Sequence, residues 1–241
     1  MKVCVAQIKS EKGNISNNIE NHKKWIDIAV SNKVDLILFP ELSLTGYEPK
    51  LAKKLTLDQN DSRLDIFQEI SDLNNITIAI GLPTKSKSGV CISMTFFQQK
   101  LPKKIYSKLK LHPDEFPYFI AGKEQVILTI KHKKIAPAIC YESLLPKHID
   151  NANTLGAKLY VASVAKTQNG IEKALTHFPK MAKKYNIPIF MSNCIGFCDN
   201  FEGAGQSAIW NEKGELIGQL DHKNEGILIL DTETKILTKR I

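Results

Sequence analysis

The sequence predicts an α/β protein: a four-layer α-β-β-α sandwich of two mixed β-sheets, with helices on the outer faces. Three observations predict it. Apolar β-rich runs alternate with amphipathic helices in the first eighty residues and again from residue 145. Between roughly residues 91 and 139 strands follow one another with only polar turns between them. The resulting total of about eleven strands is more than one twisted sheet usually carries, so two packed sheets are expected.

The elements follow in order. Val3–Ile8 reads as a strand. Ile15, Ile19, His22, Ile26 and Ala29 recur at spacings of four and three, the signature of one helix face, with Asn14 or Ser16 as its N-cap. Leu36–Phe39 is a second strand. Ile66, Phe67, Ile70 and Leu73 mark a second helix capped near Asp61 or Ser62. Ile76–Ile80 is a third strand, which Gly81-Leu82-Pro83 is expected to end. Cys91–Phe97, a short run near Ile105, Val126–Ile130 and Ile135–Ile139 form the strand-only stretch. Leu145, Ile149, Ala152 and Leu155 give the next helix, stopped by Gly156, and Leu159–Ala162 the next strand. Ile171, Ala174, Leu175, Phe178, Ala182 and Tyr185 make a further helical face, which Pro179 is expected to kink or split. Ile189–Asn193, Ser207–Trp210, Leu216–Leu220 and Ile227–Leu230 complete the strands.

The 241 residues are 43% hydrophobic and 24% charged, enough for a sizeable core. With no Pro/Gly/Ser-rich linker and no repeat, one domain over 1–241 is expected. No apolar run approaches the roughly 18 residues of a membrane helix, and the first strand starts almost at Met1 with no leader pattern. A cytoplasmic protein without membrane attachment is therefore expected. Five cysteines are a poor disulfide framework, and Cys194 and Cys198 read as buried strand thiols rather than half of a zinc site. The net charge of +8 comes from scattered lysines without interleaved aromatics, so no nucleic-acid partner is expected.

Three strand ends carry chemistry. Cys140 closes Ile135-Ala136-Pro137-Ala138-Ile139, Glu41 follows Val34–Pro40, and Lys108 follows Lys104-Ile105-Tyr106-Ser107. Functional groups in α/β proteins concentrate at such ends. A thiol is mostly protonated at neutral pH, so it needs a proton acceptor, which a carboxylate in apolar surroundings supplies. An ammonium can hold positive charge where the attacked group turns negative, and backbone N–H groups just after Cys140 can add a donor. Each residue alone is equally a packing thiol, a helix-start acid or a surface charge; together they point to a cysteine nucleophile. Competing chemistries lack their patterns. There is no Gly-x-Ser-x-Gly elbow, no phosphate loop, and no histidine pair at metal-ligand spacing. Gly203-Ala204-Gly205 imitates a dinucleotide loop but precedes a strand. A Cys-His dyad with His112 or His177 stays open at this level.

Phe39-Pro40-Glu41-Leu42-Ser43-Leu44-Thr45-Gly46-Tyr47, Tyr106-Ser107-Lys108-Leu109-x-Leu111 and Ile139-Cys140-Tyr141-Glu142 closely resemble, in order, the three signature segments of the nitrilase or carbon–nitrogen hydrolase superfamily. The similarity runs from Val5-Ala6-Gln7 through Asn193-x-x-Gly196 to Gly205-x-Ser207. The resemblance implies the same four-layer sandwich and a Glu-Lys-Cys triad: Glu41 as general base, Lys108 as stabiliser of the tetrahedral intermediate, Cys140 as nucleophile. Glu115, in His112-Pro113-Asp114-Glu115-Phe116, matches a further glutamate expected to position Lys108 and substrate, and Tyr47 and Tyr141 are expected beside it. No metal or organic cofactor is implied, and a homodimer or larger homo-oligomer is.

The chain departs from the commonest pattern after the nucleophile, where Glu142-Ser143-Leu144-Leu145-Pro146 has no arginine. Tyr141-Glu142 resembles the amide-cleaving branches more than the nitrile-cleaving one. The lack of an appended synthetase segment and of membrane spans sets aside the glutamine-tunnelling and lipoprotein-acyltransferase branches. The expected activity is amidase-type hydrolysis of a small linear amide or N-carbamoyl compound through a thioester. The alternatives are nitrile hydrolysis on the same triad, a non-catalytic scaffold, or a thiol redox sensor using Cys140 with Cys194 or Cys198. Lys166, after the Leu159–Ala162 strand, is expected either as a solvated loop lysine or as a partner for a substrate carboxylate.

Overall fold

The computed structural model describes residues 1–241. The chain lays down β1 (Lys2–Gln7), β2 (Leu36–Leu38), β3 (Thr77–Ser86), β4 (Gly89–Phe97) and β5 (Lys104–Ser107). It then forms β6 (Leu128–Ile130), β7 (Lys133–Ile139), β8 (Leu159–Val164), β9 (Ile189–Asn193), β10 (Ile195–Cys198), β11 (Phe201–Ala204), β12 (Ala208–Trp210) and β13 (Leu216–Gln219). Last come β14 (Gly226–Asp231) and β15 (Leu237–Arg240), which return to the first sheet. One sheet has seven strands in the order β15-β14-β1-β2-β3-β4-β5, and the other has six in the order β13-β12-β9-β8-β7-β6. Each contains a parallel centre, β1-β2-β3 and β7-β8-β9, flanked by antiparallel strands.

Side-chain alternation along these strands produces the layers. Val3 and Val5 of β1 point between the sheets, where they meet Ile135, Ile139, Val161 and Phe190 from the other side. Cys4 and Ala6 point outwards onto α1 (Ile15–Ser31) and α3 (Asp65–Asn74), which contribute Trp25, Ile26, Ala29 and Phe67; a one-turn α2 (Ala52–Leu55) lies between those helices in sequence. On the far face Ala136, Ala138, Tyr160 and Ala162 pack under α4 (Pro146–Thr154) and α5 (Gln168–Tyr185). Three apolar layers between four structural ones make the expected α-β-β-α sandwich. Asn14 caps α1 as expected, its side chain accepting the Asn17 N–H at 3.2 Å. Asp61 caps a 3-10 turn, Ser62–Leu64, that leads directly into α3. No helix is long and apolar enough to cross a membrane.

Two expectations are corrected, and three strands lie outside the expected list. Gly81-Leu82-Pro83 does not end the third strand; β3 runs through it to Ser86, pairing Pro83 with Ile92. Pro179 does not split α5, which is continuous from Gln168 to Tyr185. Burial of Ile171, Ala174, Phe178 and Ala182 on one face offsets the hydrogen bond that proline removes, a loss of about 3 kcal/mol. The β10–β11 hairpin and β15 were not anticipated. The first is short and glycine-containing, and the second is a half-exposed edge strand whose Lys239 and Arg240 obscure its period.

Candidate active site

Glu41, Lys108 and Cys140 arrive at one place from three strands. After β2 the chain passes Phe39-Pro40 and turns at Leu42, a non-glycine residue held at φ +53°. The turn is fixed from outside: Ser163 Oγ donates to the Phe39 carbonyl at 2.8 Å, and Leu44 N–H donates to the Gly81 carbonyl at 3.0 Å. Gly81 is required here, because a Cβ at that position would overlap the Pro40 carbonyl oxygen and the Leu42 nitrogen. Lys108 is the residue after β5. Its N–H donates to the Ile92 carbonyl at 2.9 Å and its own carbonyl accepts from Gly122 at 2.7 Å. Cys140 follows β7 and opens a 3-10 turn, Cys140–Leu144, at φ +45°. A β-carbon-bearing residue in that region costs about 1–3 kcal/mol and marks a turn whose side-chain direction matters.

Lys108 Nζ sits between two carboxylates, donating to Glu41 Oε1 at 2.7 Å and Glu115 Oε1 at 2.6 Å, with all three side chains buried. Glu115 is itself anchored: its Oε1 also accepts from Tyr47 Oη at 2.9 Å, and its Oε2 accepts the His112 N–H at 2.8 Å. The second oxygen of Glu41, Oε2, is buried with no hydrogen-bond partner. An orphan acceptor of this kind costs free energy unless something else uses it.

The electrostatics follow from burial. Desolvation raises the Glu41 carboxyl to about 7, against the pull of Lys108 and with added repulsion from Glu115. Burial by itself would lower Lys108, but Glu41, Cys140 and Glu115 together carry it above its ordinary value. The Cys140 thiol is pushed up to about 11 by burial and then by Glu41, against the opposing pull of Lys166 and Lys108. At neutral pH the sulfur is therefore a thiol, and the neighbouring Glu41 carboxyl is close to its own midpoint. Cys140 Sγ points to the Ala165 carbonyl oxygen at 3.6 Å.

Glu142 carries more than its sequence context revealed. Its Oε1 accepts from the Ile139 N–H at 2.8 Å and Tyr106 Oη at 2.6 Å; its Oε2 accepts from the Leu109 and Lys110 N–H groups at 2.6 and 3.1 Å. His148 extends the network, bonding to Tyr106 Oη and Tyr160 Oη at 2.8 Å each. These bonds satisfy both Glu142 oxygens without an arginine. The only signal for them was a glutamate two residues after the cysteine.

Lys166 also reaches Cys140, with Nζ 4.0 Å from Cys140 Sγ; it is buried and not a solvated loop lysine. Tyr141 is half-buried, its ring edge-on to His112 at 5.3 Å. Neither His112, bonded to Asp114, nor His177 meets Cys140, so no Cys-His dyad forms. Cys194 and Cys198 are buried, as expected, and meet each other at 3.6 Å rather than Cys140. All five cysteines are free thiols. No group of three or more His, Cys, Asp and Glu side chains is arranged to hold a metal ion.

Comparison with known proteins follows the same lines. The family model for carbon-nitrogen hydrolases matches residues 2–236. A glutamine-dependent NAD(+) synthetase of Acinetobacter baylyi is 26% identical over 231 residues, covering 90% of this chain. The match spans only 41% of that synthetase's length. A Staphylococcus aureus protein named hydrolase in agr operon is 23% identical, with 96% of this chain and 90% of that protein covered. Among solved structures, the amidase of Nesterenkonia sp. AN1 superposes with a TM-score of 0.88 at 20% identity, covering 96% of this chain and 92% of that one. Structures of that amidase include a covalent acetamide adduct at its active-site cysteine, formed from fluoroacetamide, and a complex with butyramide.

Proposed function

The chain belongs to the carbon–nitrogen hydrolase family, and we propose that within it the 241 residues form a single amidase-type domain hydrolysing a small linear amide or N-carbamoyl compound through a thioester on Cys140. The observation that carries this reading is the arrangement around Lys108. One buried ammonium is shared by Glu41 and Glu115, which leaves Glu41 Oε2 unpartnered and the Glu41 carboxyl near neutrality, close to a protonated thiol.

The roles follow. Glu41 Oε2 takes the thiol proton as Cys140 Sγ bonds to the carbonyl carbon, and the carbonyl π pair moves onto oxygen. Lys108 Nζ, kept charged by its two carboxylates, stabilises that oxyanion. Collapse breaks the C–N bond, and the proton on Glu41 leaves with ammonia or an amine. Water then gives a proton to Glu41 and its oxygen to the thioester carbon. The C–S bond breaks, sulfur regains the proton, and the acid departs. Glu115 takes one bond from Lys108 and so orients it, and Tyr47 in turn anchors Glu115.

Ammonia release across a panel of amides, ω-amides, carbamoyl amines and nitriles tests the reading, with Cys140→Ala as blank. Release from amides or carbamoyl compounds that the variant abolishes is expected; full activity of the variant removes the proposal. Glutamine belongs in the panel, because curated relatives are named as glutamine-dependent enzymes. The free thiols fit a reducing compartment such as the cytoplasm. Family resemblance supports a homodimer or larger homo-oligomer, which sedimentation would test.

A further inference from the structure

We propose that Lys166 is a substrate-recognition residue, and that the favoured substrates are monoamides of short dicarboxylic acids whose free carboxylate pairs with Lys166 Nζ while the amide carbon meets Cys140. The inference rests on the hydrolase reading above and names its substrate class.

Lys166 is only 5% exposed. Its backbone is pinned on both sides: its N–H donates to Asn193 Oδ1 at 2.8 Å, and its carbonyl accepts from Ala204 N–H at 2.9 Å and Asn193 Nδ2 at 3.2 Å. Its stem is packed under the first turn of α5, where a Cβ on Gly170 would lie 3.1 Å from Lys166 Cβ and 3.3 Å from Cγ. The side chain is thus held in one direction, towards the nucleophile. There Nζ finds only the Cys140 carbonyl oxygen at 3.5 Å and Sγ at 4.0 Å, and makes no ion pair with any carboxylate.

Such a placement is costly without an anion. A buried ammonium with no anion beside it loses its hydration without regaining an ion pair. Lys166 also immediately precedes Thr167, the N-cap of the 18-residue α5, so its charge sits at the positive end of the helix dipole, the wrong sign for stability. The contrast with Lys108, which has two carboxylates, is direct. The nearest candidate partner, Cys140, is a protonated thiol aimed at the Ala165 carbonyl. The missing anion is therefore sought on the substrate.

Reach limits the chain length. An acyl group on Sγ with one or two methylenes before its carboxylate places a carboxylate oxygen about 4–6 Å from sulfur, and an N–H···O bond of about 2.8 Å closes the triangle to Nζ. Malonamate and succinamate fit, and their neutral isosteres, with an isopropyl group in place of the carboxylate, are 3-methylbutanamide and 4-methylpentanamide.

The test is the ratio of kcat/KM for each acid amide to that for its isostere, in wild type, Lys166→Met and Lys166→Arg. Wild type is expected to favour the acid member, Lys166→Met to lose roughly 30-fold of that ratio, and Lys166→Arg to recover part of it. Methionine keeps the stem that packs against Gly170 and removes only the charge. Equal losses on both members in Lys166→Met would overturn the proposal and assign Lys166 to the Cys140 thiolate instead. A wild-type ratio below one would overturn it while leaving the hydrolase reading intact. Absence of turnover on all four amides and on the wider panel would remove both.

Discussion

Glu142 Oε2 accepts the Leu109 N–H at 2.6 Å, so the residue two positions after Cys140 grips the residue directly after Lys108. Because Glu142 Oε1 also holds the Ile139 N–H at 2.8 Å, one carboxylate sets the spacing between the β5 and β7 strand ends. Two loops more than thirty residues apart in sequence are thereby fixed as one unit.

Replacing Glu142 by Gln keeps the volume but turns one acceptor into a donor facing Leu109 and Lys110, or Ile139 and Tyr106. Loss of two charge-assisted bonds and the resulting clash of donors is expected to cost about 3 kcal/mol of stability. It is also expected to lower kcat roughly 10- to 100-fold with little change in KM, since the two reacting groups shift relative to each other. Urea unfolding and steady-state kinetics check both; an unchanged kcat would show that the spacing is set elsewhere.

The pH dependence follows from Glu41. With its carboxyl raised to about 7, the proton-accepting form grows as pH rises through that value. The ratio kcat/KM for a neutral amide is expected to climb with unit slope below pH 7 and to level off above it. A profile that is flat from pH 5 to 8 would contradict the assignment of Glu41 as base.

Gly81→Ala tests how the Glu41 turn is held. The added methyl collides with backbone rather than with a mobile side chain, and overpacking of this kind costs about 1–3 kcal/mol. The Glu41 segment has to move, so activity should fall further than stability. Comparing the denaturation midpoint with kcat measures the two effects separately.

His22 ties acid stability to the same segment. Buried against Phe39, it bonds through Nδ1 to the Asn18 carbonyl at 2.6 Å and through Nε2 to Ser43 Oγ at 3.0 Å. Burial depresses its pKa from 6.5 to about 4. Between those values the unfolded chain takes up a proton that the folded chain refuses, so the His22 contribution is present above pH 6.5 and is lost as pH falls towards 4. The stability advantage of wild type over His22→Gln should shrink by about 3 kcal/mol across that window. A constant difference from pH 7 to 4 would show that His22 does not titrate in this way.

Much of this was legible in the sequence because periodicity and strand-end residues are local features. Val3–Ile8 reads as a strand from its apolar run, and Glu41, Lys108 and Cys140 each close an apolar run. What failed was also local. Gly81 and Pro83 read as a strand end because breakers usually stop strands, yet here the glycine admits a neighbouring turn and the proline's missing N–H is tolerated within β3. Pro179 read as a break because isolated helices cannot absorb one, yet a buried face holds α5 together.

The sequence by itself determined the layers, the order of glutamate, lysine and cysteine, and the family those segments resemble. Only the tertiary structure decided that Lys108 lies between Glu41 and Glu115, that Glu142 spans the two loops, and that Lys166 is buried without a carboxylate. The reason is physical. Hydrophobic period is a property of neighbours along the chain, whereas desolvation and charge pairing depend on which distant strand ends share a small volume, and that is fixed only when the two sheets pack.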